Sequence, residues 1–102
     1  MQSSAEALAA AGCFALVLEC VPTRLAAKVT RAIDIATIGI GAGAETDGQV
    51  LVLQDLLGMN PDFKPKFLRR YAKGFESVSS AVNRFHADTQ RGCFPSKSES
   101  YA

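Results

Sequence analysis

The sequence predicts an α/β protein built on parallel strands. Compact apolar runs stand at residues 14–20, 37–40 and 50–53, and helical spacing separates the first two. None of the three runs alternates apolar with polar residues. Strands buried on both faces read that way, and they occur in parallel sheets covered by helices. Strand, helix and strand in succession is the βαβ signature.

Taken in order, Ser3-Ser4-Ala5-Glu6 has the form of a capping box, in which the Ser3 hydroxyl accepts from the Glu6 N–H and the Glu6 carboxylate reaches back. Ala5, Ala7, Ala9, Ala10 and Ala11 suit a short helix, and Gly12 ends it. The stretch from Ala7 to Leu18 is almost wholly apolar, but no Lys or Arg precedes Arg24, and Glu6 and Glu19 bracket it. It also falls short of the ~18–20 residues that span a bilayer, so it reads as buried rather than targeted. From Pro22 to Ala32, Leu25, Val29 and Ala32 form an apolar stripe with Ala26 and Ile33, while Arg24, Lys28 and Arg31 take the other faces.

The second strand, Thr37-Ile38-Gly39-Ile40, breaks into Gly41-Ala42-Gly43. Nine residues separate Ile40 from Val50, where parallel neighbours usually need a crossover of about a dozen or more. Either a reduced connection replaces a helix there, or Val50 to Leu57 is helical; the strand at 50–53 is the preferred reading. Pro65 and Phe67 open a further helical segment through Tyr71. Phe75, Val78, Val82 and Phe85 then repeat on one helical face until Gly92 and Pro95 close it. Residues 1–95 are expected to be ordered, and 96–102 form a tail with little means to order itself.

Composition excludes several classes. A chain of 102 residues is one domain at most. Eleven Lys and Arg against ten Asp and Glu leave a formal net charge of +1, with no global reason to expect nucleic acid or a membrane as partner. Cys13, Cys20 and Cys93 are odd in number and include no C-x-x-C pair. A disulfide framework and a cysteine zinc site are both disfavoured, which points to a reducing, cytoplasmic compartment.

Glu19 is the candidate catalytic residue, because it places an ionisable group at the carboxyl end of a buried parallel strand, where α/β folds build their sites. A carboxylate walled by apolar groups has its pKa raised towards the range of a general base. The bland alternative is a strand-end glutamate that pairs with Arg24 or caps the helix after Pro22. Gly39-Ile40-Gly41-Ala42-Gly43-Ala44 formally matches a dinucleotide fingerprint, but Glu45-Thr46-Asp47-Gly48 is a polar loop where the phosphate-holding helix should begin. Close backbone approach is the better reason for those glycines. Lys64, Lys66, Arg69, Arg70 and Lys73 are open to two readings, a field that steers an anionic cosubstrate or a solvated helix face. His86 has no second ligand at metal spacing. Cys20 should point to the opposite face from Glu19 and so into the core.

The blocks Leu16-Val17-Leu18-Glu19-Cys20-Val21-Pro22, Thr37-Ile38-Gly39-Ile40-Gly41-Ala42-Gly43 and Asp47-Gly48-Gln49-Val50-Leu51-Val52-Leu53 resemble the C-terminal part of the ketopantoate hydroxymethyltransferase family. Asp55-Leu56-Leu57-Gly58, Pro65-Lys66-Phe67, Phe94-Pro95 and Glu99-Ser100-Tyr101 continue the match in order. The resemblance implies the last three parallel strands and C-terminal helices of a (β/α)8 TIM-type barrel, incomplete in this chain, since such a barrel needs about 250 residues.

It further implies transfer of a hydroxymethyl group from methylenetetrahydrofolate to α-ketoisovalerate in pantothenate biosynthesis. A magnesium ion would hold the keto acid, and a glutamate matching Glu19 would remove the C3 proton. The family's magnesium-binding acids and substrate-contacting lysine belong to earlier strands and match no position here. A homo-oligomer is implied for the full-length family. The alternative is a non-catalytic remnant, or a self-associating βα module without metal or substrate.

Overall fold

In the computed structural model, which describes all 102 residues, the alanine-rich start of the chain forms α1 (Gln2–Ala10). The expected capping box is not made. The helix begins at Gln2 with Met1 as its N-cap, so Ser3 lies inside the first turn, and Glu6 accepts from Gln2 Nε2 at 3.0 Å instead. Gly12 does close the helix. At φ 101° it lets its own N–H reach Ala9 O (3.1 Å) while the Cys13 N–H reaches Leu8 O (3.2 Å), a paired C-terminal closure.

Strand β1 (Ala15–Glu19), helix α2 (Thr23–Ala32) and strand β2 (Ala36–Ile40) form the βαβ unit. β1 and β2 are parallel, in register from Ala15 beside Ala36 to Glu19 beside Ile40. Helix α2 starts on the Pro22 carbonyl, which accepts from the Leu25 and Ala26 N–H groups. Its apolar stripe buries Ala26, Ala27 and Val29. Ala26 and Val29 join Ala5, Leu18, Val21 and Ala42 beneath one face of the sheet, and complete burial of Val29 alone contributes about 1.5–3 kcal/mol.

The third strand is two residues earlier than expected. β3 (Gly48–Gln49) runs parallel to β2, with Gly48 beside Ile38 and Gln49 beside Gly39. Residues 50–53 are therefore not the strand; a short helix α3 (Leu53–Leu56) follows instead. The cause is the loop between β2 and β3, which contains no helix. Asp47 folds back on Thr37, accepting from its backbone N–H at 2.8 Å, and this draws Gly48 and Gln49 into the ladder.

The expectation of burial on both faces also fails. Leu18 and Thr37 are buried on one side of the sheet, whereas Val17 on the other is 60% exposed and Glu19 is exposed. Both α1 and α2 belong to the covered side, whereas the opposite face is only partly covered, with Ile38 and Ile40 half-buried and Val17 and Glu19 exposed. The unit comprises Met1–Leu53 with Lys64–Arg69.

The second unit, Gln54–Phe63 with Arg70–Ala102, is built around helix α4 (Gly74–Gln90). Its backbone is tied by N–H groups of Tyr71, Gly74 and Phe75 donating to the carbonyls of Leu56 (2.8 Å), Leu57 (2.7 Å) and Gly58 (3.0 Å). The helix expected from Pro65 to Tyr71 is absent. Tyr71's N–H bonds Leu56 rather than the residue four back, and the one local bond is a turn from the Leu68 N–H to Pro65 O (3.0 Å). Arg70 Nη2 meanwhile donates to the carbonyls of Asn60, Pro61 and Phe63, each at 3.0 Å.

Helix α4 buries none of its residues; Phe75, Val78, Val82 and Phe85 stay about half exposed along one face. Phe85 meets Phe94 edge-on, with ring centroids 5.4 Å apart. Within the tail, Lys97–Glu99 make a single 3-10 turn held by a reciprocal cap between Ser96 and Glu99. No helix is long and apolar enough to cross a membrane.

Candidate active site

Alternation along a strand decides what surrounds Glu19. It shares a face of β1 with Val17, two residues back, and the parallel register adds Ile38 and Ile40 from β2 to that face. One carboxylate therefore stands at the carboxyl end of β1 beside a half-open apolar surface. The Glu19 side chain makes no hydrogen bond or ion pair, so neither the Arg24 pairing nor the helix-capping role open to it in sequence is realised. The apolar wall anticipated around it is only half built, because the face lies open. The edge of β1 away from β2 is unpaired, and an open groove of about 270 Å³ runs along it between Leu8 of α1 and Leu16, Leu18 and Glu19 of β1.

The chain turns sharply after Glu19. Cys20 adopts φ 52°, the one residue other than glycine with a positive φ. Its N–H still donates to Ile40 O at 2.9 Å, so the ladder extends one residue past Glu19. Cys20 is exposed, not a core residue, because the left-handed turn removes it from the alternation that would have buried it. No sequence signal marks this turn, since cysteine has no preference for that conformation.

The glycine-rich stretch is not a nucleotide cradle. Residues 41–47 contain no helix, so there is no helix N-terminus to hold a phosphate. The glycines instead allow close packing. A Cβ at Gly41 would press on the Phe67 ring, and one at Gly43 would overlap the Thr23 side chain. Thr46 and Gln49 lie over Gly39, whose register partner is Leu18, and so occupy the face opposite Glu19. An open groove of about 720 Å³ beside them is thus separate from the candidate site.

The remaining candidates are not brought to Glu19's face by β1 or β2. His86 is exposed on α4 in the second unit. Of the basic run, Lys64, Lys66 and Arg69 fall in the first unit and Arg70 and Lys73 in the second. No group of three His, Cys, Asp or Glu side chains is arranged to hold a metal ion, so the residues present do not fit the magnesium that the resemblance implies.

The family model described as ketopantoate hydroxymethyltransferase matches residues 1–97. A 3-methyl-2-oxobutanoate hydroxymethyltransferase of Bdellovibrio bacteriovorus is 55% identical over 92 residues, covering 90% of this chain and 35% of the relative. Proteins of the same name from Francisella tularensis and Coxiella burnetii are each 52% identical, over 97 and 95 residues, and the chain covers 37% and 36% of them. The chain thus spans about a third of the length of the curated relatives it matches. With the strand-end glutamate, the three parallel strands and a match along nearly its whole length, the chain belongs to the ketopantoate hydroxymethyltransferase family.

Proposed function

We propose that this chain is the C-terminal part of a hydroxymethyltransferase barrel, with Glu19 as the general base that takes the C3 proton of α-ketoisovalerate. The observation that carries the reading is the place of Glu19, at the carboxyl end of a parallel strand on the one sheet face left open. In a closed barrel that face is the interior. The earlier strands would pair with the free edge of β1, enclose Val17, Ile38 and Ile40, and remove water from around the carboxylate. Burial of this kind strengthens a carboxylate as a base.

Water takes the one-carbon unit from methylenetetrahydrofolate: both of its carbon–nitrogen bonds break, the two nitrogens keep the water's hydrogens, and the carbon leaves as a formaldehyde-level carbonyl. Proton removal from the keto acid leaves an enolate, whose C3 bonds to that carbonyl carbon while the carbonyl oxygen takes a proton and becomes the hydroxyl of ketopantoate. No group of three ligating side chains in this chain would by itself hold magnesium. Any such ion takes its ligands from the remainder of the barrel. The cytoplasm and a homo-oligomeric full-length enzyme complete the reading.

The test is deuterium exchange at C3 of α-ketoisovalerate, followed by NMR with magnesium present and no folate. The protein is a full-length chimera in which this chain replaces the matching residues of the Bdellovibrio relative. Exchange above the buffer rate, lost in Glu19→Gln while the keto acid still binds, is the expected result. Exchange retained in Glu19→Gln assigns the base elsewhere.

A self-associating, non-catalytic module is the second reading, favoured by the exposure of Val17 and of the α4 apolar face. It predicts concentration-dependent association of the 102-residue chain in sedimentation, together with a chimera that does not exchange.

A further inference from the structure

We propose that the left-handed turn at Cys20 is a positioning device for Glu19, acting through the backbone of residue 20 and not through its thiol. The inference rests on the reading of Glu19 as the base.

The Glu19 side chain makes no hydrogen bond or ion pair, so the backbone alone sets where its Cα–Cβ bond points and from where the carboxylate reaches. That backbone is fixed on both sides. Before it, Leu18 is buried in the core. After it, the Cys20 N–H bonds Ile40 O, and the chain then reverses at φ 52° so that Val21 enters the same buried cluster as Leu18, Val29 and Ala42. A further extended step of about 3.3 Å per residue would carry Val21 past the end of the sheet.

The choice of residue matters here. Glycine reaches positive φ without a steric penalty but also roams over a wide range of conformations. A residue with a Cβ is confined to the small left-handed region once it is there. Cys20 therefore holds the chain direction after Glu19 within narrow limits, while its exposed thiol makes no hydrogen bond. Pro22, which follows Val21 and caps α2, stiffens the exit from the turn.

Three substitutions separate the backbone role from the thiol, each read as C3 exchange kinetics in the full-length chimera and as a thermal melt of the 102-residue chain. Cys20→Asn keeps a side chain that tolerates the left-handed region, and it should preserve both kcat and Tm. Cys20→Gly should fold with a Tm within a few degrees of the parent but lower kcat about ten- to hundredfold at unchanged KM, as expected when a reacting group is loosely aimed. Cys20→Val, branched at Cβ, should lower Tm as well.

A Cys20→Gly chimera with parental kcat overturns the proposal. So does a Cys20→Asn chimera that loses as much activity as Cys20→Gly, because the thiol would then be what matters. The Gly and Asn pair decides even if the Val variant does not fold. Exchange surviving Glu19→Gln is a different failure: it removes the base reading and this inference with it. Exchange lost in Glu19→Gln but kept in Cys20→Gly removes the turn's role alone.

Discussion

Thr37 and Asp47 hold each other through three hydrogen bonds. The Asp47 carboxylate accepts from the Thr37 N–H at 2.8 Å and from its hydroxyl at 3.1 Å, and the Asp47 N–H donates to the same hydroxyl oxygen at 3.2 Å. Thr37 is completely buried, and Thr30 of α2 adds a further contact at 2.9 Å. Loop, strand and helix meet at one threonine, which is how a loop without a helix can bring β3 into the sheet.

Asp47→Ala should therefore destabilise the first unit by about 1–3 kcal/mol, since it strands a buried N–H without an acceptor. Urea unfolding monitored by circular dichroism reads this directly. A change below about 0.5 kcal/mol would mean that Thr37 finds other partners.

The two faces of the sheet should respond differently to mutation. Val29→Ala, at a fully buried position, should cost about 1.5–3 kcal/mol through lost burial and a residual cavity. Val17→Thr, on the open face, should stay within about 0.5 kcal/mol. Equal losses at both sites would show that the Val17 face is covered in solution.

Much of this architecture is legible in the residues, and the failures have physical causes. The βαβ unit follows from apolar runs and a stripe at Leu25 and Val29, signals that packing then uses as written. The β3 register does not follow, because Val50 to Leu53 is more apolar than Gly48-Gln49, yet the ladder is set by Asp47 reaching back ten residues. Residues 65–71 carry helical spacing, but the Tyr71 N–H takes the carbonyl of Leu56 instead of one four residues back. At the candidate site, the place of Glu19 is readable from its strand. The turn at Cys20 is not, since it is imposed by the burial of Val21 and not by any preference of cysteine.

Magnesium and α-ketoisovalerate together should leave the melting temperature of the isolated 102-residue chain unchanged. A ligand stabilises only a folded state that binds it, and no group of three ligating side chains is present. A rise of several degrees in a thermal melt would reveal a site formed by association of the chain.

The terminal turn should respond to acid. The backbone N–H of Ser96 donates to Glu99 Oε2 at 2.8 Å, and this bond, followed by the Ser96 hydroxyl, holds the Glu99 carboxyl below its ordinary value of 4.5 despite slight opposing desolvation. A carboxylate with a lowered pKa supports the turn at neutral pH and loses that effect as pH falls through the lowered value. The Ser96 amide shift in an NMR titration should move with a midpoint below 4.5. A midpoint at or above it would mean that the turn does not persist in solution.

The small core beneath the sheet has a kinetic meaning. All its members, from Ala5 through Leu18, Val21, Ala26 and Val29 to Ala42, lie within the first two strands and the segments flanking them. The ladder above it joins residues on either side of α2, as Ala15 beside Ala36, so it closes only once the intervening segment has been spanned, and parallel pairing of this kind is intrinsically slow. The local turns of α1 and α2 form first, and the sheet is the late event. Until it closes, Val17 and the rest of β1 have no partner strand and stand open to pairing with another chain.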